Sequence, residues 1–318
     1  MSASASAPGK VILFGEHAVV YGRPAIAVPV TQVQATASIT AGTTGFQITA
    51  SDLGRTLWLD SAPPHDPLAT AVRLCLKELG TPPLAANLTI RSTIPIASGM
   101  GSGAAVSVAI IRALASYLGA DLAKEVVSRL TFQVEKIHHG TPSGIDNSVV
   151  TYGQPIYFVR GRPIQTLQIP TPFRLLIADT GISSSTKVTV GDVRRGWQVR
   201  PAHYEELFDQ IGRLTQDARV AIESGYIERI GPLMTRNQAL LDELGVSSPQ
   251  LERLIQAALA AGAAGAKLSG AGRGGNLIAL VQVETESDVS QALRQAGAAH
   301  LVATWVGKTM SGSEEQVR

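Results

Sequence analysis

Several residues of this chain have the types and spacing for chemistry on a phosphate. The stretch Ile96-Ala97-Ser98-Gly99-Met100-Gly101-Ser102-Gly103-Ala104-Ala105 puts bare backbone just ahead of an apolar run. Amide groups at a helix start attract anions, phosphate most often, and the hydroxyls of Ser98 and Ser102 could bind phosphate oxygens or a magnesium ion. The plainer alternative is a tight strand-to-helix turn whose glycines serve packing. A second cluster, Lys267-Leu268-Ser269-Gly270-Ala271-Gly272-Arg273-Gly274-Gly275, holds more glycine than a hairpin needs. Such an excess lets backbone approach a ligand closely. Two glycine loops in two halves of a chain point to one charged ligand in the cleft between them. Around them stand groups able to move a proton or hold a cation: Lys10, Glu16 and His17 in "APGKVILFGEHAVVYG", Glu135 beside the apolar stripe of a helix, and Asp146 on a turn after Gly144. Each also has an ordinary reading as a solvated surface charge.

Three other signatures fail on their context. Gly99, Gly101 and Ala104 fit a dinucleotide-binding pattern, but no βαβ unit surrounds them and no acidic residue closes a second parallel strand. Gly307-Lys308-Thr309 resembles the end of a nucleotide-binding P-loop, yet Val302 stands where a glycine is required and no helix follows. His138-His139 lacks a third ligand at metal spacing and is read as structural.

The elements that must position these residues follow from the apolar pattern. "KVILFG" and "AIAVPV" read as strands around a turn at 21–24, residues 31–60 as further strands, and "NLTIRSTI" as the strand that enters the first glycine loop. Helices are expected at about 66–79, from Ser102 to Gly119, and from a cap at Asp121 through the stripe Leu122, Val126, Leu130, Val134, Ile137, ended by Gly140 and Pro142. "QPIYFV" is another strand. The proline-rich, aperiodic "RGRPIQTLQIPTPF" marks a domain boundary near residue 168, dividing the chain into 1–168 and 169–318. The second half reads as strand "RLLIADT", helices at about 201–223, 226–244 and 248–261, strands "GAKLSG" and "NLIALV", a helix at about 286–296 and strand "HLVATWV". That order implies an open antiparallel sheet with helices on one face, an α+β layer.

The 318 residues suffice for two domains, and 45% of them are hydrophobic. A net charge of +2 argues against a nucleic-acid partner. No segment is long and apolar enough for a membrane span, and "MSASASAPGK" is not a secretion signal. Cys75 stands alone, which fits a reducing, cytoplasmic setting.

Three motifs together, "APGKVILFGEHAVVYG", "IPIASGMGSGAA" and "KLSGAGRGGNLIAL", resemble those of the GHMP kinases, and they occur in that family's order over nearly the whole chain. With "GTPSGIDNSVVTYG" they are most similar to the mevalonate kinase branch. The resemblance implies a two-domain α+β fold, with an N-terminal domain of the ribosomal-protein-S5 type and a ferredoxin-like C-terminal domain, and the active site in the cleft between them. It implies ATP-dependent phosphorylation of the mevalonate 5-hydroxyl, with Mg2+ as cofactor, small-molecule partners only, and allowance for a homodimer. Asp146 then matches the catalytic base and Lys10 its cationic partner. Glu135 matches a magnesium ligand, with Ser102 beside it. Ser98, Gly99, Gly101, Ser102, Gly103 and Ala104 match the phosphate loop. Glu16, His17 and Thr186, with Gly270, Ala271 and Gly272, match positions at the substrate.

Four positions depart from the family's pattern. Gly103 replaces a serine that commonly binds magnesium, Ser184 replaces an arginine two residues before Thr186, and Arg273 and Asn276 replace a glycine and a cysteine. The alternatives to a mevalonate kinase are a sibling kinase acting on another hydroxyl or on phosphomevalonate, and a non-catalytic sensor of the same fold. Intact Lys10, Glu135 and Asp146 argue against the sensor.

Overall fold

A computed structural model describes residues 2–95, 98–139 and 142–307. Met1, Ile96, Ala97, Gly140, Thr141 and residues 308–318, with their part of the first glycine motif, of "GTPSGIDNSVVTYG" and of the rejected P-loop, lie outside the described residues. No helix among those described is long and apolar enough to cross a membrane.

The first half is built on β1 (Ser2–Phe14) and β2 (Ala25–Ala41), which pair antiparallel. β1 starts well before the expected "KVILFG". In "SASASAP" alanines face the core while Ser4 and Ser6 face out and bond Ser38 and Thr36 across the ladder. Period-2 alternation thus makes a strand from residues of low strand propensity. β3 (Phe46–Ala50), β4 (Arg55–Trp58), β5 (Ala86–Ser92), β6 (Ile156–Phe158) and β7 (Gln165–Thr166) complete this sheet in the order β4-β3-β5-β2-β6-β7, with β3 and β5 parallel. α1 (Pro67–Glu78) is capped by Asp66, whose side chain accepts from the Ala69 amide. α2 (Ser102–Tyr117) packs its buried Ala104, Ala105, Val108 and Ile111 in one core with β1 and β2.

Two local expectations are corrected, and one helix is new. α3 (Lys124–His139) starts at Lys124, with the Ala123 carbonyl accepting from the Val126 and Val127 amides, so Asp121 is not its cap. Asp146 lies not on a turn but in the first turn of α4 (Ile145–Tyr152), which begins at Gly144 with φ +95°. Its Val149-Val150-Thr151 run is β-branched and hides the helix from propensity. α5 (Thr186–Val199) was not expected either, since its valines, threonines and two glycines are poor helix formers.

The second half carries β8 (Phe173–Asp179), β9 (Gly265–Ser269), β10 (Asn276–Val281) and β11 (His300–Val306) in the order β11-β8-β10-β9, all antiparallel. Between β8 and β9 run α5, α6 (Pro201–Glu223), α7 (Ile230–Glu243) and α8 (Pro249–Ala260), and α9 (Glu286–Gln295) joins β10 to β11. The expected helical layer, α8 and α9, covers the face carrying Leu176, Ala178, Leu268 and Leu277. The reverse face is not bare. Leu175, Ile177, Ile278 and Leu280 join one core with β1, β2, the end of α6 and the start of α7. β7 closes the first sheet and β8 opens the second, and we propose the domain boundary near residue 168 between them.

Candidate active site

Lys10 sits mid-strand in β1, 3% exposed, and its amide donates to the Met100 carbonyl, 2.9 Å. The strand is thereby stitched to the first glycine loop. Its side chain passes over Gly101, where a Cβ would stand 2.9 Å from Lys10 Cγ. Gly101 is also the residue from which α2 springs, with φ +74°. The Lys10 Nζ then reaches Asp146 Oδ1, 3.2 Å away. The lysine is almost fully buried while the carboxylate is 29% exposed, so the pair has one face toward solvent.

The loop's remaining residues divide by what their groups already do. The Ser98 hydroxyl donates to the Pro95 carbonyl, 2.8 Å, and serves the loop's own turn. Gly99, at φ +81°, has open space where a side chain would project. Ser102, Gly103 and Ala104 form the first turn of α2, whose leading amides lack intrahelical acceptors. Gly103 lends its carbonyl to Ser107 Oγ, 2.8 Å.

Glu135 is buried at 2% exposure on α3, near Leu130, Thr131 and Val134. Among the described residues no group of three or more His, Cys, Asp or Glu side chains could hold a metal ion. Magnesium does not require such a cluster, since it keeps several waters and takes one or two carboxylates plus substrate phosphates rather than an all-protein cage.

Glu16 is more deeply placed than a substrate contact would be. It is wholly buried and ion-paired to Lys267 of β9, itself wholly buried. Burial pushes the Glu16 carboxyl up and the Lys267 ammonium down, and each partner opposes the other's shift. Lys267 also donates to the Leu268 carbonyl, 2.5 Å. His17 follows at φ +59°, a left-handed backbone rare outside glycine. Its ring, 5% exposed, bonds through Nε2 to the Ala271 carbonyl, 3.0 Å, so Nε2 carries the proton.

Burial lowers the His17 pKa to about 4, from an ordinary 6.5. Between those values the unfolded chain binds a proton that the folded chain refuses, so stability is full above pH 6.5 and is lost as pH falls toward 4. The loss attributable to this group is roughly 3 kcal/mol. Urea midpoints at pH 7 and pH 4.5 should therefore differ less for His17→Gln than for the wild type. An equal difference in both proteins would remove His17 from the account.

The second glycine loop uses its glycines differently from the expectation. At Gly272 and Gly274 a side chain would strike the carbonyls of Val246 and Ile182, so these glycines admit the protein's own backbone rather than a ligand's. Gly270, at φ +98°, faces open space. The Gly272 carbonyl accepts from Ser184 Oγ, 2.6 Å, which ties the segment before α5 to the loop. Thr186 begins α5 and is exposed. Arg273, at φ +58°, pairs with Asp192 of α5 and donates to the Gly245 carbonyl while keeping part of its side chain in solvent. It holds the Asp192 carboxyl below its ordinary range.

The two glycine loops do meet. Asn276 Nδ2 donates to the Ser98 carbonyl, 2.5 Å, and a Cβ on Gly275 would stand 3.2 Å from the same oxygen. Ser269 Oγ both accepts from the Ile12 amide and donates to the Ile12 carbonyl, each 3.0 Å. Reading the sequence missed Lys267, Ser269 and Asn276 as cross-half partners. The available signal was a lysine inside an apolar strand, which needs an acid when buried.

The profile of the GHMP kinases N terminal domain matches residues 67–154, and that of the GHMP kinases C terminal domain matches 218–302. The mevalonate kinase of Thermococcus sibiricus is 35% identical over 95% of this chain and 96% of its own length. That of Pyrococcus horikoshii is 36% identical over 92% of each. The crystal structure of L. major mevalonate kinase in complex with R-mevalonate superposes with a TM-score of 0.83 at 30% identity, covering 95% of both chains. With both domain profiles matched in order, and relatives aligned along nearly its whole length, the chain belongs to the GHMP kinases, in their mevalonate kinase branch.

Proposed function

We infer that this chain transfers the γ-phosphoryl group of ATP to the 5-hydroxyl of mevalonate, giving 5-phosphomevalonate and ADP. The observation that carries the reading is the Lys10–Asp146 pair beside the start of α2, in a chain so similar to mevalonate kinases. The Asp146 carboxylate takes the hydroxyl proton as the substrate oxygen bonds to the γ-phosphorus and the bond to the β-phosphate oxygen breaks. Lys10 steadies the oxygen's developing negative charge. The leading amides of α2, at Ser102, Gly103 and Ala104, receive phosphate oxygens. Gly99 leaves room for them, and Ser98 supports the loop through its bond to Pro95.

Magnesium would be held by Glu135 and the Ser102 hydroxyl together with phosphate oxygens and water. When bound it would neutralise charge on the triphosphate. Gly103 supplies no side-chain donor, so the protein's share of that shell rests on those two residues. Glu16 and His17 are buried and would support the site, whereas exposed Thr186 and Gly270, with open space at its Cα, are the positions free to meet the substrate. A cytoplasmic enzyme of small-molecule partners fits the single thiol, Cys75, which is buried and unpaired.

The test is release of ADP with mevalonate, phosphomevalonate, homoserine and galactose as acceptors, with and without magnesium. Turnover is expected with mevalonate and magnesium alone. Equal turnover of phosphomevalonate would favour the sibling kinase, and silence with every acceptor despite nucleotide binding would favour the sensor.

A further inference from the structure

A wholly buried ion pair asks for an explanation beyond stability. Two apolar side chains of similar volume would often serve a core as well or better. Yet Glu16 and Lys267 are both completely shielded, and Glu16 Oε2 has no hydrogen-bond partner among the described residues. The pair's location supplies the reason. Glu16 lies in the turn after β1, and Lys267 on β9, in the other half of the chain.

The hairpin of β9 and β10 touches the first half through a row of side chains. Lys267 takes Glu16, Ser269 takes both backbone groups of Ile12, and Asn276 takes the Ser98 carbonyl. The loop between the strands offers its Ala271 carbonyl to His17. β1 is paired with β2 along one edge, so its alternate residues Lys10 and Ile12 turn their amides to the other edge, where Met100 and Ser269 meet them. Lys10 lies two residues before Ile12 on the same strand, and its amide holds the phosphate loop at Met100. The hairpin is therefore indexed on the strand that carries Lys10 and on the loop that begins α2. Of these cross-half contacts only Lys267–Glu16 is charged, and it adjoins His17, whose left-handed backbone persists only while its surroundings enforce it.

We propose that Glu16 and Lys267 are positioning residues, whose buried ion pair sets the second glycine loop and His17 in register with Lys10 and the phosphate loop. The proposal rests on the kinase reading above and deepens it. Neither side chain touches the reacting atoms. Their loss is felt as misplacement of groups that do, and a misplacement of about 1 Å can cost roughly a hundredfold in rate.

The experiment compares the wild type with Glu16→Asp and with the double variant Glu16→Leu/Lys267→Met. Thermal midpoint, ADP affinity, kcat and KM for mevalonate are measured, with the imidazole NMR resonances of His17 as a readout independent of substrate. The double variant removes both charges without stranding either, so it should melt close to the wild type. Its kcat should nonetheless fall roughly ten- to a hundredfold, with ADP affinity within about twofold of the wild type. Glu16→Asp keeps the charge but shortens the reach by one methylene, so it should stay folded, lose kcat and shift the His17 resonances. A double variant with wild-type melting and wild-type kcat would overturn the proposal. If the double variant does not fold, wild-type kcat and an unmoved His17 spectrum in Glu16→Asp overturn it instead. Should the wild type itself prove silent with mevalonate, the kinase reading fails, and the His17 spectrum alone decides whether the pair sets the register.

Discussion

Asp146→Asn should lower turnover of mevalonate by about a hundred- to ten-thousandfold, the usual cost of losing a general base. ADP affinity should change little, since the carboxylate is paired with Lys10 and, on the proposed function, serves the acceptor rather than the nucleotide. Carboxylates are weak bases toward alcohols, so the proton must move late, as the oxygen bonds to phosphorus, and geometry must be fixed. The structure provides that fixity from two sides. Asp146 lies in the first turn of α4, where negative charge is favoured by the helix dipole. Lys10, almost wholly buried, is held 3.2 Å away. Lys10→Met should also slow turnover, and the double variant should lose less than the sum of the two free-energy costs, because the pair acts as a unit. An Asp146→Asn enzyme near wild-type kcat, or strictly additive losses, would contradict these roles.

Gly101→Ala should lose turnover almost as severely as Lys10→Met, although it deletes nothing. The residue has φ +74°, which costs an L-residue about 1–2 kcal/mol. More important, the new methyl would stand 2.9 Å from Lys10 Cγ and 3.1 Å from Cε. Lys10 is buried, so relieving the contact is expected to draw the ammonium from Asp146 or shift the loop away from α2. Gly22→Ala controls for the strain, because Gly22 has φ +82° but nothing within 4 Å of its would-be side chain and lies outside the phosphate loop. At saturating ATP, kcat should fall far more for Gly101→Ala than for Gly22→Ala. Equal losses would assign the effect to backbone strain and remove the Lys10 contact from the explanation.

Much of the architecture was legible because burial imposes simple periods on the chain. The strands around the turn at 21–24, α6, and the hairpin of β9 and β10 lie where the apolar pattern placed them. The pattern fell silent where propensity and fold conflict. α4 is a helix because its buried side fits under α2 and α3, despite a β-branched run, and α5 is one despite its glycines. At the candidate site, residue types suggested which groups could act but not what they touch. Glu16 looked like a substrate contact and proves to be a buried partner of Lys267. Arg273 stood out only as an arginine in place of a glycine, and it is bound to Asp192 and the turn at Gly245. Glycines 272 and 274, which suggested ligand approach, relieve collisions with Val246 and Ile182. Such pairings join residues distant in the chain, and no local period records them.

The buried reverse face of the second sheet bears on how the molecule comes apart. Leu175, Ile177, Ile278 and Leu280 join one continuous apolar interior with β1 and β2, most of which the residues before 168 supply. Cutting the chain between the sheets would bare this seam on both fragments, inviting aggregation rather than yielding two independent modules. Heating the intact chain would then meet a single cooperative transition, with calorimetric and van't Hoff enthalpies in agreement, where two separable domains would melt in steps.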